Sequence, residues 1–213
     1  MIHPPRRLAR RGLLIAAAAI AGIDSRAALA TLLTTPAQTP GPFYPKTLPL
    51  DADNDLVRVA GHAREAAGTI THLFGRVLDS DGRAIPNAQI EIWQCDSRGH
   101  YHHVDDGDPR LLDPDFQGYG KTVSAGDGSY RFRTIRPVPY PGRTPHIHVA
   151  VMTASGRRLV TQMYVAGEAL NRRDPVLSQI RDPAARAAVI VPLTATAQFE
   201  PGALAGTFDI VMG

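Results

Sequence analysis

Short runs of alternating apolar and polar residues dominate the chain from residue 69 onward. Residues 129–135 alternate cleanly, which places Tyr130, Phe132 and Thr134 on one face of a predicted strand. Further strands are predicted at 69–78, 88–93, 146–152, 159–165, 189–192 and 207–211, with turns at 79–82, 124–128 and 155–156. A short helix is predicted between Asp174 and Ala188, because Asp174-Pro175 resembles a helix start.

This pattern predicts an all-β fold, an antiparallel β-sandwich with little helix. Many short strands, 19 glycines and 18 prolines are typical of that class. Residues 31–68 carry little periodicity and are rich in Pro, Thr, Asp and Ala. We interpret them as an extended segment that wraps a single catalytic or binding domain at 69–213.

The first 30 residues are predicted to be an export signal of the twin-arginine type. Arg10-Arg11 precede an apolar run at 12–23, which is shorter than the roughly 20 residues of a membrane span. Residues 28–30 read Ala-Leu-Ala, a suitable cleavage site. An ordinary secretory signal and an uncleaved anchor are the alternatives. The mature protein is then expected in the periplasm or outside the cell, free of the membrane.

Charge and cysteine content exclude other classes. The formal net charge is +3, and Arg6, Arg7, Arg10 and Arg11 of the predicted signal contribute to it. No basic stripe with interleaved aromatic residues is present, so nucleic-acid binding is not expected. Cys95 is the single cysteine, which excludes an internal disulfide, and its place after strand 88–93 predicts a buried core residue.

The candidate chemistry begins with two histidines on one predicted strand. In 146–152, His146 and His148 share one face, while Ile147 and Val149 share the other. The two imidazoles are about 6.6 Å apart at Cα, so their ring nitrogens can converge on one metal ion. A lone His-x-His pair is weak support for a metal, since exposed strand faces carry polar residues anyway.

Two tyrosines could complete a set of four metal ligands. Tyr101 lies between histidines at 100, 102 and 103, and Tyr140 precedes His146. Zinc and copper sites usually recruit Cys, His and carboxylate, whereas phenolate oxygens suit Fe(III). A free phenol has a pKa of about 10 and ionises at neutral pH only beside such a charge. The neighbouring acidic residues 105, 106 and 108 do not match a calcium loop and are predicted to be a solvated loop.

These residues occur within a series of motifs that resembles the intradiol ring-cleavage dioxygenases, the family of protocatechuate 3,4-dioxygenase and catechol 1,2-dioxygenase. The resemblance covers roughly residues 39–168. It includes TPGPFYP at 39–45, GRVLDSDG at 75–82, IWQ at 92–94, GHYH at 99–102, FQGYG at 116–120, GSYRFRTIRP at 128–137 and the block from Tyr140 to His148.

The resemblance implies a ligand set and an activity. Tyr140 and His148 would be axial ligands of Fe(III), and Tyr101 and His146 equatorial ones. Arg143 would lie near the bound ring and stabilise its carbanion-like form. The residue that matches a glutamine close to the substrate is Gln162.

The activity so implied inserts both atoms of O2 into a catechol-type ring and opens it between the hydroxylated carbons. The product is a cis,cis-muconate-type diacid. Small catechols and O2 would be the binding partners, and the sequence leaves the oligomeric state open, a homo-oligomer included.

The sequence has WQCD at 93–96, where WQAN is more usual, and a short loop between Tyr140 and His146, which leaves the preferred catechol open. A cupin or a two-His-one-carboxylate site would need an acidic residue soon after His148, and none follows. The non-catalytic alternative is a prealbumin-like exported sandwich that binds a ligand or a carbohydrate.

Overall fold

The computed structural model describes residues 31–49 and 51–213, so the predicted export signal lies outside the described residues. Ten strands occur in this part of the chain. They are β1 (Ile70–Asp79), β2 (Gln89–Trp93), β3 (Tyr119–Val123), β4 (Ser129–Ile135), β5 (His146–Met152), β6 (Arg158–Val165), β7 (Ile190–Val191), β8 (Thr194–Thr196), β9 (Ala203–Thr207) and β10 (Ile210–Met212).

The strands form two five-stranded sheets that share one core, and the predicted all-β fold is confirmed. The first sheet has the order β10-β1-β9-β8, with β4 paired to β1, and the second has the order β3-β2-β5-β6-β7. Leu73 and Phe132 of the first sheet and Ile92, Ile147 and Val149 of the second belong to one buried apolar cluster. Burial of these faces is what holds the sheets together.

Strand direction differs from the sequence-based expectation, because both sheets are mixed rather than antiparallel. β9 and β10 run parallel to β1, and β7 runs parallel to β6. Alternation within a strand shows which face is buried but not which way its neighbour runs. The predicted strand at 207–211 is divided between β9 and β10, since the Asp209 carboxylate accepts the Arg76 N–H at 2.8 Å between them.

Helical structure is sparse, and its predicted starting point was wrong. The α-helix α1 (Pro183–Ala188) begins after Asp182, whose carboxylate accepts the Ala184 N–H at 2.9 Å. The chain after Asp174 makes only a 3-10 turn at Leu177–Gln179, because the Asp174 side chain is also bound elsewhere, as described below. No helix within residues 31–49 and 51–213 is long and apolar enough to cross a membrane.

β3 was not predicted, because Gly120 interrupts its apolar pattern. A Cβ at Gly120 would lie 2.4 Å from Leu56 Cδ1 and 2.6 Å from the Asp53 carbonyl oxygen. The close approach of the 53–56 chain to β3 therefore requires glycine.

The N-terminal residues 31–49 contact the second sheet on the face that carries the two histidines. The Gln38 N–H donates to the Val160 carbonyl at 2.8 Å, and the Tyr44 hydroxyl donates to Glu91 at 2.9 Å. Between these points the chain places Phe43 against Tyr101, with ring centroids 4.7 Å apart. This segment therefore contributes to the surroundings of the candidate site.

An ion-pair network on the first sheet predicts a pH dependence of stability. The Arg133 guanidinium contacts Glu200 at 2.8 Å and both Asp55 and Glu65 at 3.1 Å, and His72 also contacts Glu200 at 2.8 Å. The hydrogen bond from Arg133 lowers the pKa of Glu200 from its ordinary 4.5 to about 2.

Because the folded-state pKa is depressed, the stabilisation is present above pH 4.5 and is lost as the pH falls towards about 2. Glu200→Gln should therefore weaken the fall of the unfolding free energy across this window, as measured by urea denaturation at several pH values. An equally steep fall in the variant would contradict this assignment.

Candidate metal centre

β5 places His146 and His148 side by side on one face of the second sheet. Both side chains are 1% exposed, and their Nε2 atoms are 3.2 Å apart. Ile147 and Val149 on the opposite face are fully buried in the core and fix the strand. The pairing of His148 with Trp93 of β2 adds a parallel stack, with ring centroids 4.9 Å apart and planes 5° apart.

The protonation state of the pair suits a metal. The His146 Nδ1–H donates to the Thr144 carbonyl at 2.7 Å, which leaves its Nε2 as a lone-pair donor. Burial, reinforced by Arg143, lowers the pKa of His146 to about 4. Burial also lowers the pKa of His148 well below 6.5, and His146 adds to this effect. Both rings are therefore neutral near pH 7, as metal ligation requires.

The two predicted tyrosines join this pair. Tyr140 lies 5.4 Å from His146 between ring centroids, and Tyr101 lies 5.5 Å from Tyr140 and 6.1 Å from His148. Tyr101 is 2% exposed, and its hydroxyl has no hydrogen-bond partner within the described part of the chain. An unpaired buried hydroxyl costs about 1–3 kcal/mol, so a ligand that this atom could bind would remove a penalty.

The donor set fits a hard, highly charged ion. Burial raises the pKa of Tyr101 well above 10, so this phenol ionises at neutral pH only beside a strong positive charge. Across residues 31–49 and 51–213, no three His, Cys, Asp or Glu side chains lie close enough to hold a metal. The tyrosine oxygens are the anionic donors available beside the two histidines, and phenolate oxygens suit Fe(III) better than zinc or copper.

Packing and a backbone contact hold Tyr101 in place. Phe43 stacks on its ring at an interplanar angle of 22°. The Tyr101 backbone N–H donates to the carboxylate of Asp106, a side chain that is only 18% exposed. The prediction that the acidic loop is merely solvated was therefore wrong for Asp106, because a loop carboxylate here satisfies a buried backbone donor.

Arg143 is bound on three sides beside Tyr140. Its Nη1 donates to the Tyr140 hydroxyl at 3.3 Å, its Nη2 to Gln162 Oε1 at 2.5 Å, and its Nε to Asp174 Oδ2 at 2.8 Å. The structure thus brings together all six residues singled out from the sequence: Tyr101, Tyr140, Arg143, His146, His148 and Gln162.

Asp174 is the site residue that sequence reasoning missed. Its side chain is fully buried and accepts the Thr144 N–H at 3.0 Å and the Leu177 N–H at 2.9 Å besides Arg143. Although burial opposes ionisation, these bonds lower the pKa of Asp174 below its ordinary value. Its only sequence signal is the Asp-Pro pair, which predicts a helix start rather than a site residue.

Gln162 is bound to a second missed group. Its Nε2 donates to the Thr39 carbonyl at 2.9 Å, and its backbone N–H donates to Gln38 Oε1 at 3.0 Å. The Tyr164 hydroxyl donates to Gln162 Oε1 at 2.9 Å and accepts from Gln38 Nε2 at 2.8 Å. No spacing rule links residues 38 and 162, so this contact had no signal in the sequence.

The two histidines that follow Tyr101 make contacts with their own loop. His102 Nε2 contacts the Asp113 carbonyl at 3.1 Å, and His103 Nδ1 accepts the Asp105 N–H at 3.2 Å. Cys95 is buried as predicted, and burial raises the pKa of its thiol to about 12, which leaves it unreactive at neutral pH.

Comparison with known proteins identifies the class. A family model described as "Dioxygenase" matches residues 39–213. The protocatechuate 3,4-dioxygenase beta chain of Burkholderia cepacia is 38% identical over 168 residues, covering 75% of this chain and 71% of that protein. Catechol 1,2-dioxygenase of Acinetobacter baylyi is 30% identical over 165 residues, covering 67% of this chain and 50% of that protein.

Solved structures agree with these relatives. The dioxygenase domain of a dioxygenase carbohydrate-binding protein fusion from Streptomyces sp. SirexAA-E has a TM-score of 0.65 at 28% identity, covering 84% of this chain and 97% of that chain. The chain therefore belongs to the intradiol ring-cleavage dioxygenase family, whose members are oxidoreductases that act with O2. It spans about half the length of the catechol and hydroxyquinol 1,2-dioxygenases it matches.

Proposed function

We propose that this protein is an Fe(III)-dependent intradiol dioxygenase that opens a catechol-type ring between its two hydroxylated carbons. The metal ligands are Tyr101, Tyr140, His146 and His148, and the product is a cis,cis-muconate-type diacid. The single observation that carries the proposal is the buried, unpartnered Tyr101 hydroxyl beside two neutral, convergent imidazoles. A non-catalytic prealbumin-like sandwich gives no reason for leaving that hydroxyl unpaired.

The protein's own residues supply proton transfer at Tyr140. Burial raises the pKa of Tyr140, although Arg143 opposes this rise. Once ionised by a bound metal, the Tyr140 oxygen would take up a proton from an incoming catechol and hold it as a phenol, 3.3 Å from Arg143 Nη1. A bound ferric ion supplies Lewis-acid activation of the catechol and orients it for reaction with O2.

Arg143 supplies electrostatic stabilisation. Asp174 and Gln162 fix its guanidinium next to Tyr140, so little reorganisation is needed when negative charge develops on the ring. Phe43 and Trp93 pack against Tyr101 and His148 and place apolar rings beside the site. A low local dielectric strengthens the effect of the guanidinium charge.

Replacing Arg143 with alanine should slow turnover while the protein keeps its metal. Loss of one preorganised donor typically costs on the order of 10²–10³ in kcat. Steady-state kinetics and iron content per chain check this prediction. Arg172→Ala is the matched control, because Arg172 is exposed and lies outside the site.

Arg143→Lys keeps a positive charge opposite Asp174. A fall of kcat in this variant therefore reports lost catalysis rather than a folding defect. An Arg143→Ala protein that keeps wild-type kcat, or that loses its iron, would contradict the assigned role.

The activity is tested with catechol and ¹⁸O2. The iron-loaded protein should consume O2 and yield one ring-opened diacid that carries both labelled atoms, as read by mass spectrometry. The double variant Tyr101→Phe/Tyr140→Phe should abolish this product, since it removes both phenolate oxygens. The proposal is wrong if the wild-type protein consumes no O2 with any catechol, or if the double variant is as active as wild type.

We further propose that residues 1–30 direct export by the twin-arginine route, on the basis of Arg10-Arg11 and the short apolar run that follows. In cells that express the full chain, the protein should be found in the periplasm and should begin after Ala30. Arg10→Lys/Arg11→Lys keeps the charge and should leave the protein in the cytoplasm. Unchanged export of this variant would favour an ordinary secretory signal.

A further inference from the structure

A cavity of about 160 Å³ opens beside Tyr140 on the Arg143 side of the candidate site. Its lining includes Tyr140, Gly142, Arg143, Leu170, Arg173 and Asp174. Pockets for drug-sized ligands usually measure about 300–1,000 Å³, so this one suits a single ring with a small substituent. A Cβ at Gly142 would meet nothing within 4 Å, so this position leaves the cavity open.

The two guanidinium groups of this cavity differ in their partners. The Arg143 charge is matched by the buried Asp174 carboxylate at 2.8 Å. Arg173 is exposed, and none of the ion pairs found in residues 31–49 and 51–213 includes it. The cavity wall therefore carries one net positive charge, and this charge lies on Arg173.

The local backbone fixes Arg173 next to an apolar surface. The Arg173 N–H donates to the Leu170 carbonyl at 2.9 Å and closes the 3-10 turn at Ala169–Arg172. Leu170 is 44% exposed and lines the same cavity. An apolar wall followed by a guanidinium is the arrangement that receives an aromatic ring bearing an anionic group.

We propose that Arg173 is a specificity-determining residue that binds a carboxylate substituent on the catechol ring. The preferred substrates are then catechols with a ring carboxylate or a short acidic side chain. This inference rests on the proposed function, since it places the substrate ring in the cavity beside Tyr140. The guanidinium offers paired N–H donors whose geometry matches a carboxylate.

The test compares two substrates of similar shape, 3,4-dihydroxybenzoate and its neutral amide. The wild-type protein should have the higher kcat/KM for the carboxylate. Arg173→Gln should reduce the carboxylate-to-amide ratio about tenfold or more, the loss expected for one charge-assisted contact. Arg172→Gln makes the same charge change one residue earlier and should leave the ratio unchanged, and Arg173→Lys should restore part of it.

A binding measurement separates failure of this inference from failure of the proposed function. Calorimetry with the unreactive 4-hydroxybenzoate and 4-hydroxybenzamide should show the same loss of discrimination in Arg173→Gln. The preference of the wild-type protein for the carboxylate compound should be weaker at high salt. An unchanged ratio in Arg173→Gln, or an equal loss for both compounds, overturns the inference. If the protein binds the carboxylate more tightly than the amide but opens no ring, the anion site stands and the proposed reaction is wrong.

Discussion

Under the proposed ligand assignment, a His148→Ala protein is expected to bind no iron and to show no ring-opening activity. His148 contributes one of two neutral imidazole nitrogens that converge at 3.2 Å, and no His, Cys, Asp or Glu among the described residues is placed to replace it. Even changes that only reorient a ligand lower metal affinity about 10–100-fold, so removal of a ligand should cost more. Iron content per chain and turnover at saturating catechol measure the effect.

The matched control is His72→Ala. His72 is as deeply buried as His148, at 1% exposure, but lies on the first sheet and contacts Glu200. This variant should bind iron at the wild-type ratio, whatever its stability. Full iron content in His148→Ala would show that the metal lies elsewhere.

Asp174→Ala is expected to lower the free energy of unfolding by about 3–5 kcal/mol, the usual cost of removing one partner from a buried ion pair. The Arg143 side chain is only 12% exposed and would remain charged without its carboxylate. The N–H groups of Thr144, Val176 and Leu177 would lose their acceptor as well. Urea denaturation measures the change.

Asp174→Asn separates the two contributions. The amide oxygen keeps an acceptor for the backbone N–H groups but carries no charge, so the loss of stability should be smaller than in Asp174→Ala. Its kcat should still fall, because Arg143 is no longer held by a charge beside Tyr140. Equal stability of both variants and wild type would show that the ion pair does not anchor this region.

The residues of the candidate metal centre could be singled out from the sequence because each leaves a local pattern. Strand alternation places His146 and His148 on one face, and the residue types at 101 and 140 supply the chemistry. The structure adds what alternation cannot give: the 3.2 Å approach of the Nε2 atoms and the unpartnered Tyr101 hydroxyl.

Two residues that position the site could not be predicted: Asp174, which holds Arg143, and Gln38, which holds Gln162. Asp174 lies 31 residues from Arg143 along the chain, and Gln38 lies 124 residues from Gln162, so their contacts depend on how loops cross the sheet. The direction of the strands was predicted wrongly for the same reason. β9 and β10 lie far from β1 in the sequence, and local alternation does not show that they pair with it in parallel.

A visible absorption spectrum of the purified protein is the first test of whether two tyrosinates and two histidines bind Fe(III). We expect a broad tyrosinate-to-iron charge-transfer band that shifts when catechol is added without O2. The same band should weaken in Tyr140→Phe. A protein that stays colourless after reconstitution with iron would contradict the account and favour a ligand-binding sandwich without catalysis.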